Sequence, residues 1–217
     1  MCGTLLYYAR AVDCTMLATL GSIATQQAIP TANTMRKIKK LLDYAATHPD
    51  AEVTYRARNM VLAANSDASY LSETKYRSRA GGHFFMASNI AVPENNGAIQ
   101  TVAQTIKTIM SSAAEAELGA LYINCCEAIP ARHLLEAMGH RQPPTPMQTD
   151  NSTVLGVVTN KIQPKRTKAM HMRFHWLCCR TNQRQFQTYW RAGPTNKVDY
   201  VTKHHAALHH KNVRQII

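Results

Sequence analysis

Residues 61–69 read Val61-Leu62-Ala63-Ala64-Asn65-Ser66-Asp67-Ala68-Ser69, four apolar positions that run into a polar stretch with one carboxylate at its centre. A short apolar run bounded by polar residues predicts a buried strand over 61–64, and Asp67 then follows that strand's carboxyl end. The pattern recurs at Thr145-Pro146-Met147-Gln148-Thr149, a short predicted strand that ends at Asp150. In an open α/β sheet, ligands bind in the crevice outside the carboxyl ends of the strands, so carboxylates at two such ends converge where ligands sit. The plainer alternative makes Asp67 a turn residue and Asp150 the N-cap of a helix ahead of Ser152 and Thr153.

Beyond Asp67, Gly81-Gly82-His83-Phe84-Phe85-Met86-Ala87 and, past the turn at Asn95-Asn96-Gly97, residues 98–106 predict two more strands. No helix fits between these three strands, so they form an antiparallel meander. Val53 and Tyr55 predict a short extended segment in front of it. Residues 114–138 carry helical periodicity through Leu118, Leu121, Tyr122 and Cys125, with Pro130 as a kink or a division into two helices. After Pro143-Pro144 come the strand at 145–149, helices at 151–160 and 172–181, a strand at 185–190 and a closing helix at 196–205.

At the N-terminal side, Met16, Leu17, Leu20, Ile23 and Ala24, and then Met35, Ile38, Leu41 and Leu42, predict helices over 12–28 and 33–46. Ile29-Pro30-Thr31 joins them, Asn33 or Thr34 caps the second, and His48-Pro49-Asp50 ends it. The expected class is α/β: a mixed five-stranded sheet with flanking helices, preceded by a helical hairpin.

The 217 residues hold 25 Lys and Arg against 13 Asp and Glu, a formal charge of +12 at pH 7. With 45% hydrophobic and 18% charged residues the chain can form a core, which excludes a disordered basic tail. No run approaches the 18 apolar residues of a membrane span, and residues 1–10 lack the basic head and cleavage site of a secretory signal. The expected setting is intracellular, cytoplasmic or nuclear. Residues 137–217 contain 13 Lys and Arg but only two acids, Asp150 and Asp199, a field that attracts polyanions and favours a nucleic-acid partner. Among the six cysteines, the adjacent pairs Cys125-Cys126 and Cys178-Cys179 make a poor disulfide framework. A zinc site built from His171, His175, Cys178 and Cys179 is weaker than ordinary packing, because no second CxxC or HxxxH accompanies it.

Crowded carboxylates repel one another unless a cation compensates, and hard oxygen ligands select Mg2+ or Mn2+ over zinc. Glu115 and Glu117 point to different sides of their predicted helix, so at most one of them joins Asp67 and Asp150. Divalent-metal phosphoryl chemistry is the reading these residue types support.

An ordered set of blocks extends that reading. They are Ser66-Asp67-Ala68-Ser69-Tyr70, Ser78-Arg79-Ala80-Gly81-Gly82-His83-Phe84-Phe85, Ser111 to Ala120, Thr149-Asp150-Asn151-Ser152-Thr153, Arg166 to His175, and Asn196 to Lys203. In that order, over about residues 60–205, the chain resembles the carboxyl-terminal part of a copia-type retrotransposon polyprotein: the end of the reverse transcriptase followed by the ribonuclease H domain. The resemblance implies a ribonuclease H-like fold, with 1–50 a helical connector, 51–208 the nuclease domain and 209–217 a basic tail. It departs from the family at His171, where an aspartate is common, and at Cys178-Cys179-Arg180.

Carried over residue by residue, the family's acidic set falls on Asp67, Glu117, Asp150 and Asp199, with Glu115 as the alternative to Glu117. It implies two Mg2+ ions held by these acids and hydrolysis of the RNA strand of RNA:DNA hybrids, with RNA identified partly through its 2′-hydroxyls. Lys161, Lys165, Arg166, Lys168 and Arg173 are placed to contact backbone phosphates. Ser69, Asn151 and Ser152 are hydrogen-bonding candidates near the centre. His204 and His205 are candidates for leaving-group protonation, though with His209 and His210 they read better as a solvated tail. Trp176, Phe186 and Trp190 read as core residues and His83 as structural. The palm motifs of a reverse transcriptase are not among the 217 residues, so no polymerisation is expected, and an upstream reverse transcriptase domain is the expected protein partner. Two other readings stand beside this one: a catalytically weak or inactive domesticated nucleic-acid-binding module, and an interaction protein that docks a partner on apolar stripes left exposed by residues 12–46.

Overall fold

The computed structural model describes residues 2–162, 171–193, 196–205 and 209–210. The N-terminal part contains α1 (Cys2–Ala11), a 3-10 turn (Cys14–Met16), α2 (Leu17–Ala24) and α3 (Ala32–Thr47). The expected first helix over 12–28 is therefore broken at its start. The Asp13 carboxylate accepts from the Thr15 N–H and caps the 3-10 turn, which separates α1 from α2. The cap of α3 is Thr31, not Asn33 or Thr34: Thr31 and Thr34 exchange backbone-to-side-chain hydrogen bonds in a reciprocal capping box. Ala9, Met16, Leu17, Leu20, Ile23 and Leu41 bury their side chains together, with Ala103 of the sheet packed against them. The stripe of α2 is thus covered, while Met35 and Leu42 of α3 remain exposed.

The sheet comprises β1 (Val61–Glu73), β2 (Arg77–Ala87), β3 (Ala98–Thr105), β4 (Thr145–Thr149) and β5 (Phe186–Trp190), in spatial order β3-β2-β1-β4-β5. Strands β1, β2 and β3 form the antiparallel meander; β4 pairs parallel with β1, and β5 parallel with β4. Helices α4 (Ala113–Ala137), α5 (Ser152–Val158), α6 (His171–Asn182) and α7 (Asp199–Thr202) complete the fold. The architecture is the expected mixed five-stranded sheet with flanking helices and an N-terminal helical hairpin. The main core lies between sheet and helices, where Leu62, Phe84, Leu121, Met147, Leu177 and Phe186 are buried in one cluster.

Four local expectations are revised. Strand β1 does not stop at Ala64 but runs through the polar residues to Glu73, because Asn65, Ser66, Asp67 and Ser69 are themselves buried and paired with β2. Val53 and Tyr55 are outside any strand; the Tyr55 hydroxyl donates to the Ala98 carbonyl and the Arg56 N–H to the Asn96 side chain, so this segment is fastened without a ladder. Pro130 lies within a single helix, α4, and the closing helix shrinks from 196–205 to the four residues of α7.

Candidate metal centre

The parallel register of β1 and β4 decides the site. Asn65 pairs with Gln148, so two residues further on Asp67, within β1, stands level with Asp150, just past the end of β4. Side chains of a strand alternate faces with period two, which keeps Asp67 on the face of Asn65 and Asp150 in line with Gln148. Helix α4 crosses this end of the sheet and brings Glu117 down on β1, where its Oε1 accepts from the Ala68 N–H at 3.1 Å. Asp67, Glu117 and Asp150 each present one carboxylate oxygen within 4.8 Å of the others. Among the described residues no other group of three histidine, cysteine or acidic side chains is so placed.

Competing local roles are taken by neighbours. Asn151, not Asp150, is the N-cap of α5, its side-chain oxygen accepting from Thr153 and Val154 N–H groups. Asp150 is therefore released from capping and remains in the triad. Glu115 is bound by the N–H and hydroxyl of Ser111 at the start of α4, so Glu117 is the glutamate that faces Asp67.

Helix α7 closes over Asp67. An ideal Cβ on Gly81, the β2 partner of Asp67, would lie 2.4 Å from Thr202 Cγ2 and 2.6 Å from Val198 Cγ1, so only a glycine admits α7 at this depth. The Thr202 hydroxyl then donates to Asp67 Oδ2, the Ser69 hydroxyl donates to the Thr202 carbonyl at 2.8 Å, and Asn196 Nδ2 donates to the Ser66 carbonyl at 2.9 Å. Asp199 sits on α7 outside the three-carboxylate group, and its Oδ1 is paired with Lys203 Nζ. Its charge still reaches Asp67.

Burial lifts the Asp67 carboxyl to about 6; the Thr202 hydroxyl opposes the rise, the charges of Asp199 and Asp150 add to it, and Lys203 works against it. Burial, followed by the charges of Asp67 and Asp150, pushes Glu117 up to about 9. Asp150 is raised as well, chiefly by burial. Glu117 Oε2 has no hydrogen-bond partner although it is fully shielded. A buried carboxylate oxygen without a partner costs about 1–3 kcal/mol, and three crowded acids that resist ionisation add to that strain. A divalent cation would satisfy the orphaned oxygen and the mutual repulsion together, and all-oxygen donors suit Mg2+ or Mn2+. The residues fit such an ion.

A pH prediction follows from the same shifts. Glu117 holds a proton in the folded state that it loses in the unfolded state near 4.5, so stability from this group is complete below that value and is lost as pH rises toward about 9. His83 acts in the opposite direction but only lower down, because burial depresses it to about 4. Metal-free protein should therefore melt lower at about pH 8.5 than at about pH 6.5, and Mg2+ or Ca2+ should reverse much of that loss by replacing the proton. Thermal melts of wild type and Glu117→Gln with and without chelator check this: the variant should show a flatter pH dependence and a weaker response to metal.

Of the five residues expected on phosphates, Lys165, Arg166 and Lys168 lie outside the described residues. Lys161 is exposed after α5. Arg173 lies over the Tyr122 ring at 5.6 Å and donates to Thr108 Oγ1 at 3.3 Å. For the weak zinc reading, Cys178 is buried against the Val157 carbonyl while Cys179 is exposed, and the His171 side chain is outside the described set. Trp176 packs on the core and Phe186 is buried, but Trp190 is 50% exposed at the end of β5. Its indole N–H donates to the Asp150 carbonyl at 2.8 Å, an interaction that places the ring beside the triad and was hidden by the apolar pattern of the strand. His83 is buried with Nε2 on the Asn96 carbonyl. Of the C-terminal histidines, His204 and His209 are exposed, as a solvated tail predicts, whereas His205 stacks on Tyr200 and on His209, and His210 meets the Tyr200 hydroxyl. Thr202 and Lys203 were within the matched block around Asp199, but only the descent of α7 onto Gly81 shows that they reach Asp67.

No protein-family model matches the chain, and no curated protein matches it in sequence. Among solved structures, it is similar to an RNase H1 isolated from compost by a metagenomic approach, over 65% of this chain and 92% of that one, at 11% identity and a TM-score of 0.50. It is also similar to the foamy viral protease–reverse transcriptase solved in complex with double-stranded DNA, over 88% of this chain and 37% of that one, at 10% identity and a TM-score of 0.52. No described helix is long and apolar enough to cross a membrane. At these identities the likeness is one of fold: the chain has a ribonuclease H-like architecture, and its acidic cluster forms a candidate divalent-metal centre between the middle of β1 and the carboxyl end of β4.

Proposed function

We propose that the protein is a metal-dependent ribonuclease that hydrolyses the RNA strand of RNA:DNA hybrids, as the carboxyl-terminal part of a copia-type retrotransposon polyprotein. The observation that carries the reading is the meeting of Asp67, Glu117 and Asp150 within 4.8 Å in a chain of net charge +12. Three acids concentrated at one point of an otherwise basic protein are costly unless they hold a cation, and the surrounding positive field draws in the polyanion on which that cation acts.

Asp67, Glu117 and Asp150 hold the metal, two Mg2+ ions in the full form of this proposal with Asp199 as the fourth acid. When bound, the metal supplies Lewis acidity at the scissile phosphate and lowers the pKa of water. The chain's own residues set up that chemistry. Thr202 orients Asp67, the Ala68 N–H fixes one oxygen of Glu117 and leaves the other to ligate, and the Trp190 indole holds the backbone of Asp150. Lys203 keeps a positive charge at the rim, because its bond to Asp199 and the charges of Asp67 and Asp150 outweigh its burial. Lys161, Lys165, Arg166, Lys168 and Arg173 are the proposed backbone contacts, and the helices of residues 1–50 the proposed connector to an upstream reverse transcriptase domain.

The deciding experiment incubates the protein with end-labelled RNA:DNA hybrid, RNA duplex and DNA duplex in Mg2+, Mn2+, Ca2+ or chelator. Cleavage of the RNA strand of the hybrid in Mg2+ or Mn2+ only is the expected result. No cleavage in any metal, together with salt-sensitive binding of the hybrid, would replace the enzyme reading by that of a nucleic-acid-binding module.

A further inference from the structure

A cleft of about 360 Å³ opens between α2, α3 and the C-terminal segment, and Lys37, Lys40, Thr19, Ser22 and His204 supply its polar wall. Lys37 and Lys40 are three residues apart on α3, so both point to one face. Thr19 and Ser22 bear the same relation on α2 and line the cleft together with the two lysines. Met16 and Leu41 contribute its apolar wall, and none of the residues lining the cleft is acidic. Asp13, behind Thr15, is buried and accepts from the Thr15 N–H and hydroxyl. Burial together with the charges of Arg79 and Lys37 lowers the pKa of His204, with Glu73 opposing, so the imidazole sits in a net positive field.

We infer that this cleft binds a backbone phosphate of a nucleic-acid duplex and anchors the duplex next to the acidic triad. Two lysines, two hydroxyl side chains and an imidazole line this acid-free cleft, and each can donate to a phosphodiester oxygen. Position selects a duplex over a free phosphate. His204 is two residues beyond Thr202, whose hydroxyl is on Asp67, and two residues of extended chain span about 7 Å. A duplex carries one charge per about 1.7 Å of its axis, so one that reaches the triad also presents phosphates along this stretch. The inference deepens the proposed function, from which it takes its partner, and it gives the helical hairpin a part in substrate binding.

The test measures binding of hybrid and of DNA duplex to the full chain by fluorescence anisotropy in Ca2+ across a range of salt concentrations. Lys37→Gln/Lys40→Gln should weaken both duplexes on the order of tenfold at low salt and reduce the slope of log K against log salt by about 1 to 2. Arg36→Gln/Lys39→Gln removes two charges from the outer side of the same helix and should change the slope by less than half as much; thermal melts show that both variants are folded. Equal losses for the two pairs, or an unchanged slope for the first, would overturn the inference by reducing the effect to net charge or to nothing. Inorganic phosphate or pyrophosphate that protects the wild type against heat while the first pair leaves duplex binding intact would show a small-phosphate site and overturn the duplex assignment. Because binding is read without turnover and on DNA as well as hybrid, absence of cleavage in Mg2+ sinks the ribonuclease reading without touching this result.

Discussion

Asp150→Asn should abolish Mg2+-dependent cleavage of an RNA:DNA hybrid, by on the order of 1000-fold or more, while leaving hybrid binding in Ca2+ close to wild type. The substitution keeps the shape of the side chain and removes its charge. One of the three carboxylates within 4.8 Å of one another is then neutral, and the remaining pair holds a divalent cation less firmly and less fully coordinated. Metal catalysis of phosphoryl transfer contributes several kcal/mol of transition-state stabilisation, and about 4 kcal/mol corresponds to about a thousandfold in rate. The fold should persist, because Asp150 is half-buried, the cap of α5 belongs to Asn151 and the Trp190 indole bonds to the Asp150 main-chain carbonyl, which the change leaves in place. Single-turnover cleavage and anisotropy measured on the same preparation check both halves. Equal cleavage by variant and wild type would remove Asp150 from the assigned role.

Gly82→Ala should destabilise the protein by about 3 kcal/mol and lower its melting temperature by roughly 10 °C. A Cβ on Gly82 would fall 2.1 Å from Asn124 Oδ1 and 2.8 Å from its Cγ, closer than any real contact. Asn124 has little room to move: it is fully buried on α4, and its Nδ2 donates to Ser66 Oγ at 2.9 Å and to the Gly81 carbonyl at 2.7 Å. Overpacking costs about 1–3 kcal/mol and a buried donor left unpaired about 1–3 more, and at this chain length each kcal/mol lowers the melting temperature by about 2–4 °C. Gly3→Ala is the control, since α1 has open space there and alanine is the better helix former. Differential scanning calorimetry of the three proteins is the measurement; a Gly82→Ala melt within about 2 °C of wild type would contradict the seating of α4 on the sheet. The damage should extend to the site, because Asn124 ties α4 to the residue before Asp67.

The sequence alone determined the strands that begin at Val61 and Thr145, the antiparallel meander, the long helix with Glu117 and the basic field, because apolar period, glycine turns and net charge act locally or sum over the chain. It also singled out Asp67 and Asp150 from their places after apolar runs. It left open which of Glu115 and Glu117 faces them and whether Asp150 caps a helix, and it stopped β1 nine residues short. Near neighbours settle the first two, since Ser111 captures Glu115 and Asn151 takes the cap. The meeting of the two aspartates is tertiary: the parallel register of β1 and β4 sets Asp67 level with Asp150. The same is true of Trp190, assigned by pattern to the core, and of His205 and His210, assigned by pattern to solvent. The structure opens Trp190 beside Asp150 and gathers His205, His209 and His210 around Tyr200. A one-dimensional pattern records whether a residue suits burial, but which carboxylates share one point in space depends on strand register and on how deeply α7 can settle over Gly81, and both are set by residues far apart in the chain.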